Sequence, residues 1–137
     1  MVNVLVVDDD PAIVVLLSEL FCAVAGSCRV VTAGNGLEAL KVLESSRVDV
    51  VLTDLNMPVM DGFALISRIR TAYPDMPVIV MTGSQEKDTA QRLSDLGIHH
   101  YRVKPFSMRG LVTDVTAGPE FSKARCGLPA ADNAAHA

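Results

Sequence analysis

Tryptophan is absent from this chain, and four phenylalanines and two tyrosines are the only aromatics among 137 residues. Half of the residues are nevertheless hydrophobic, so the core has to be built from Val, Leu, Ile, Met and Ala. That usage is expected where a parallel sheet is covered on both faces. A basic excess is also missing: the formal charge of -4 leaves no electropositive footprint for nucleic acid. Cysteine is sparse, and Cys22, Cys28 and Cys126 are odd in number and lack metal-ligand spacing. Cys22 falls in an apolar helical run and reads as a reduced core residue. No hydrophobic run approaches the roughly 20 residues of a membrane span. No basic flank or signal peptide precedes the first strand either. The expectation is a cytoplasmic protein, one domain long, with no membrane and no nucleic acid as partner.

Along the chain, strand and helix patterns alternate five times. Val2 to Val7 is a strand that stops at Asp8-Asp9-Asp10, and Pro11 with Asp10 as N-cap opens a helix. Ile13, Leu16, Leu17, Leu20 and Val24 are expected on its buried face. Arg29 to Ala33 reads as a second strand, and Leu37, Leu40 and Leu43 line a helix ending near Ser45. A β-branched run from Val48 to Thr53 climbs into Asp54. Asp61-Gly62 then opens a helix carrying Phe63, Leu65, Ile66 and Ile69, with Asp61 as N-cap, and Tyr73-Pro74 ends it. Pro77 to Met81 is the fourth strand, residues 85 to 96 a largely polar helix with Ala90, Leu93 and Leu96 facing in and closed by Gly97, Ile98 to Val103 the fifth strand, and a last helix starts near Ser107. The pattern predicts a flavodoxin-like α/β fold. It is a doubly wound, five-stranded parallel sheet of order 2-1-3-4-5, with helices on both faces. Residues 1–117 form this domain. From Gly118-Pro119 to Ala137 the periodicity is lost, leaving an Ala/Gly/Pro-rich tail that reads as a linker, a disordered end or a cloning remnant.

Four of the five expected strands end in groups suited to phosphate or metal chemistry: Asp8-Asp9, Asp54, Thr82 and Lys104. The exception is the second strand, which in this topology lies at an edge, away from the switch point where ligands bind. Three carboxylates in one crevice repel, and a hard cation with open positions for water and phosphate, Mg²⁺, relieves them. Lys104 offers a point charge and Thr82 a hydroxyl donor to a phosphoryl oxygen. Asp54 is then the nucleophile.

Val6-Val7-Asp8-Asp9, Thr53 to Gly62 (Thr-Asp-Leu-Asn-Met-Pro-Val-Met-Asp-Gly), Met81-Thr82-Gly83 and Val103-Lys104-Pro105-Phe106 occur in this order. Together they resemble the response-regulator receiver domain of two-component signalling, the CheY-like superfamily, over residues 2 to about 117. The resemblance implies that Asp54 accepts a phosphoryl group from the phosphohistidine of a histidine kinase or a histidine phosphotransfer protein. It implies Mg²⁺ held by Asp9, Asp54 and the backbone carbonyl of Asn56, with Asp8 acting through water. Thr82 and Lys104 would contact the phosphoryl group, Thr82 and Tyr101 would switch, and the Lys104-Pro105 bond would be cis. The fourth helix, fifth strand and last helix would form the face read by a downstream protein, including Ala90, Leu93, Tyr101, Arg102 and Val103. On this reading the chain is a signalling phosphoacceptor with slow self-catalysed dephosphorylation, rather than an enzyme of turnover. Asn56 and Ser84, small and polar, imply an intermediate phosphoryl lifetime.

Other residues read more plainly. Met57, Met60 and Met81 are packing residues, Arg68 and Arg70 a solvated face, and the adjacent His99 and His100 point to opposite faces of a strand. Gly110 weakens the last helix by roughly 0.5–1 kcal/mol relative to Ala. A phosphohydrolase of the haloacid-dehalogenase type also uses an Asp nucleophile with Mg²⁺, but requires an acid where this chain has Asn56. A degenerate receiver that binds proteins without phosphorylation would have no need of the intact acid, threonine and lysine set.

Overall fold

The computed structural model describes residues 2–25, 28–82, 87–98, 101–103, 107, 109–110 and 112. Five strands, β1 (Val2–Val7), β2 (Cys28–Ala33), β3 (Val50–Asp54), β4 (Val78–Thr82) and β5 (Tyr101–Val103), alternate with α1 (Pro11–Ala25), α2 (Gly36–Ser45), α3 (Gly62–Ala72) and α4 (Lys87–Asp95). All strand pairs are parallel, and the order is β2-β1-β3-β4-β5. Every residue of β3 and of β4 is buried, whereas β2, at the sheet edge, exposes Arg29 and Thr32. Central strands are buried on both faces and so read as continuous apolar runs.

Two cores flank the sheet. On one side, Leu5, Val7, Val51 and Val80 pack against Ala39 and Leu43 of α2, Leu65, Ile66 and Ile69 of α3, and Leu93 of α4. On the other, Val4, Val6, Leu52 and Met81 pack against Leu17 and Phe21 of α1 and against Val112. Burying each such side chain contributes about 1.5–3 kcal/mol.

Local chemistry fixes the element ends. Asp10 Oδ1 accepts from the Ala12 amide at 3.0 Å, ahead of Pro11 in the first turn. Asp61 Oδ1 accepts from Ala64 N at 2.9 Å, and Asn35 Oδ1 from Glu38 N at 2.9 Å. Gly97, at φ 82°, closes α4: Gly97 N donates to Ser94 O and Ile98 N to Leu93 O, the paired bonds of a Schellman motif. Ser107 Oγ accepts from Gly110 N at 3.0 Å, which agrees with a last helix starting there.

Several expectations are corrected. Leu16 is 41% exposed, while Phe21, not assigned to the inner face, is fully buried. Residues 13 to 17 are all apolar, so their composition cannot phase the helix; Leu17 and Phe21, four apart, set it. Cys22, one position beyond Phe21, is exposed, and Cys28 is the buried thiol. Leu37 is also exposed, because Gly36, Ala39 and Leu43 carry the inner stripe of α2. The third strand begins at Val50: Asp49 instead accepts from Asn3 N at 2.8 Å with its side chain and donates its own amide to Asn3 O. The 118–137 tail, Val24's side chain and residues 26–27 lie outside the described residues.

Candidate functional site

β1 and β3 are neighbours in register, with Val7 opposite Thr53, so the residues that follow, Asp8 and Asp54, arrive level at the carboxyl end of the sheet. Asp8 is 2% exposed and Asp54 6%, while Asp9 is exposed. One carboxylate oxygen from each of the three lies within 4.8 Å of the others. Asp54 Oδ1 accepts from Leu55 N at 2.7 Å and from Asn56 N at 3.4 Å, and Asp8 Oδ1 accepts from Asp10 N at 2.9 Å. These amides aim the carboxylates without neutralising them. Three negative groups at this spacing repel each other, and a small hard cation relieves that repulsion. An all-oxygen set of few protein ligands, with one acid open to solvent, fits Mg²⁺ better than a softer metal. A cleft of about 310 Å³ opens beside the acids, between Pro11, Val14 and Val15 of α1 and Thr32 to Gly34.

The loop from Leu55 to Met60 follows directly on Asp54 and is held at both ends by helix starts. Gly62 N, the first amide of α3, donates to Leu55 O at 2.9 Å; Gly36 N, the first amide of α2, donates to Met60 O at 3.2 Å. Both helices thus place an otherwise orphaned N–H on the loop. Neither position tolerates a side chain. A Cβ on Gly62 would stand 2.3 Å from Asp54 O, and one on Gly36 would stand 2.8 Å from Met60 Cγ and 2.9 Å from Met60 O. Between them, Val59 sits at φ 69°, with Met60 N donating to Pro58 O at 2.7 Å. This is a γ-turn of the rare, strained hand, centred on a β-branched residue that is 78% exposed. Sequence reading did not find this clamp. Its only signals are the Asn35-Gly36 and Asp61-Gly62 pairs, which equally denote ordinary turns.

Thr82, fully buried, ends β4 opposite Val103, and Tyr101 pairs with Val80 two residues earlier. Tyr101 is half-buried and packs on the core beneath α2, α3 and α4. Leu93, counted with the face read by a partner although its helical position faces inward, is fully buried in that core, and Ala90 is half-buried. The helix repeat turns Asp88, Gln91, Arg92 and Asp95 outward instead. The Arg92 guanidinium lies over the Phe63 ring, 3.7 Å from its centroid, and ties α4 to α3. Met57 is buried and Met60 half-buried, as packing residues should be. Lys104, Pro105, Phe106, Ser84, His99 and His100, and the side chains of Arg102 and Val103, lie outside the described residues. Among the described residues, no helix is long and apolar enough to cross a membrane.

Residues 4–116 match the family model of the response regulator receiver domain. The chain is 39% identical over 103 residues to the DNA-binding transcriptional regulator NtrC of Escherichia coli, covering 75% of this chain but 22% of that protein. It is 37% identical over 105 residues to the sensor histidine kinase RcsC of Escherichia coli, covering 77% of this chain and 11% of that protein. Among solved structures, the chemotaxis response regulator CheY4 of Vibrio cholerae superposes with a TM-score of 0.75 at 31% identity, covering 85% of this chain and 98% of that one. A CheY-like receiver domain from Methanospirillum hungatei superposes at 0.80, covering 91% and 97%; at 23% identity it speaks for the fold alone.

Proposed function

Because this chain belongs to the response regulator receiver domain family, we propose that it is a phosphoacceptor of two-component signalling whose reactive group is Asp54. The observation that carries this reading is the convergence of Asp8, Asp9 and Asp54 at the carboxyl ends of adjacent central strands, with Thr82 ending the next strand. An Asp54 carboxylate oxygen attacks the phosphorus of a phosphohistidine on a histidine kinase or histidine phosphotransfer protein. The P–N bond breaks, the imidazole leaves and takes up a proton, and an acyl phosphate remains.

Negative charge is spread over the equatorial phosphoryl oxygens as transfer proceeds, so catalysis here is positioning plus electrostatic stabilisation. The Leu55 and Asn56 amides hold the Asp54 carboxylate in one orientation. Asp9, Asp54 and the Asn56 carbonyl would hold Mg²⁺, with Asp8 acting through water, and the metal would supply positive charge to offset the acids and the incoming phosphoryl group. Thr82 donates its hydroxyl to a phosphoryl oxygen, and Lys104 supplies a cation. Phosphorylation then draws Thr82 toward the new group, and the β4–β5 ladder passes the shift to Tyr101. A downstream protein reads the face formed by α4, β5 and the last helix. Dephosphorylation is slow and self-catalysed, with Asn56 and Ser84 setting water's approach.

Incubation with Mg²⁺ and acetyl phosphate, followed by intact mass measurement, tests this reading. A single labile phosphoryl adduct on the wild-type chain and none on Asp54→Asn is expected. Steady hydrolysis of a generic phosphate ester would point to a phosphohydrolase instead, and no adduct on either protein would point to a binding module that dispenses with phosphorylation.

A further inference from the structure

We infer that Gly36 is a positioning residue for the metal and phosphoryl site, although α2 contributes no ligand to it. The inference rests on the phosphoacceptor reading and deepens it. Asn56, the proposed carbonyl ligand, and the Asp54 carboxylate both belong to the segment whose far end is Met60. Two forces act on that end. The γ-turn at Val59 is strained, since a β-branched residue at φ 69° is driven back toward extended backbone. Against it stands one backbone hydrogen bond, Gly36 N to Met60 O at 3.2 Å, made at a distance of approach that only a residue without Cβ allows. If the clamp is loosened, the loop relaxes away from α2. Asn56 then moves, and so do the two amides that orient Asp54.

The α3 end of the loop differs in kind. Gly62 is pinned against the Asp54 carbonyl itself and has no strained residue beside it, so it fixes the strand end rather than the loop's curvature. Gly36 and Val59 therefore act as a pair: the strain at Val59 is what the clamp at Gly36 opposes.

The test uses Gly36→Ala, Val59→Gly and the double variant. Three readings are taken: the metal-free amide chemical shifts of Leu55 and Asn56, the Kd for Mg²⁺, and the single-turnover rate constant and half-saturating concentration for adduct formation from acetyl phosphate at saturating Mg²⁺. Gly36→Ala should shift both amides without metal, weaken Mg²⁺ about tenfold, as changes behind metal ligands do, and lower the single-turnover rate constant with the half-saturating concentration nearly unchanged. Val59→Gly alone should keep Mg²⁺ affinity, because the clamp is intact. In its background the Gly36→Ala penalty should shrink, because a γ-turn at glycine has no strain to release.

A wild-type measurement needs no variant to fold: by reciprocity, saturating Mg²⁺ should slow hydrogen exchange at the Gly36 amide. Unshifted amides with unchanged Mg²⁺ affinity in Gly36→Ala, equal penalties in both backgrounds, or Gly36 exchange indifferent to Mg²⁺ would each overturn the inference while leaving the phosphoacceptor reading intact. Failure of the wild-type chain to bind Mg²⁺ would overturn both.

Discussion

At the scale of single residues, close approach decides more than charge. A methyl group on Gly62 would meet the Asp54 carbonyl at 2.3 Å and Leu55 Cα at 2.6 Å, backbone atoms that cannot rotate aside. Overpacking of this kind typically costs 1–3 kcal/mol, so Gly62→Ala should lose about 3 kcal/mol in urea unfolding and displace Asp54. An unchanged unfolding midpoint would show that the contact is softer than its geometry. The acids, by contrast, were legible directly. Asp8, Asp9 and Asp54 announce themselves because a buried apolar strand that ends in a carboxylate is chemically unusual, and strand alternation brings them to one edge. The strain at Val59 was not legible, since valine is a strand former and nothing in its side chain encodes φ 69°. Only the tertiary clamp forces it there.

At the scale of elements, caps and phases separate what composition can and cannot encode. The Asp10 and Asp61 caps each follow from a short acceptor side chain ahead of a helical run. The face of α1 does not follow, because an all-apolar stretch from Ile13 to Leu17 carries no periodic contrast; Phe21 resolves it only once the helix is seated. α4 is the opposite case: mostly polar, with Leu93 inside and Arg92 stacked on Phe63. Its closing Gly97 at φ 82° should be sensitive to substitution. Gly97→Ala forces an L-residue into the left-handed region at about 1 kcal/mol, measurable as a lower unfolding midpoint, with Mg²⁺ affinity unaltered. A loss of Mg²⁺ affinity would mean that the end of α4 communicates with the acids.

At the scale of the whole molecule, the sheet order followed from alternation and from the placement of chemistry at every strand end but the edge strand's. Alkaline behaviour should report on the α1 side of the sheet. Burial, with a smaller contribution from Cys22, pushes the Cys28 thiol up from 9.0 to about 11. The unfolded chain then releases that proton before the folded one does. The contribution is fully present below about pH 9 and is lost as pH rises toward 11. The stability gap between wild type and Cys28→Ala should therefore narrow over that window, and exposed Cys22 should alkylate before Cys28. A gap that widened would contradict the burial.

The strand order has a last consequence. β1 pairs with both β2 and β3, so the acids at positions 8, 9 and 54 come together within the first two-fifths of the chain. Thr82 and Tyr101 belong to strands added afterwards on the far side of β3. On the proposed reading, the metal ligands and the switch residues are thus written on successive stretches of one polypeptide. Inheritance could then redraft the outward side chains of the later stretch, and with them the proposed listener, while the three acids, Thr82 and Lys104 keep the proposed chemistry.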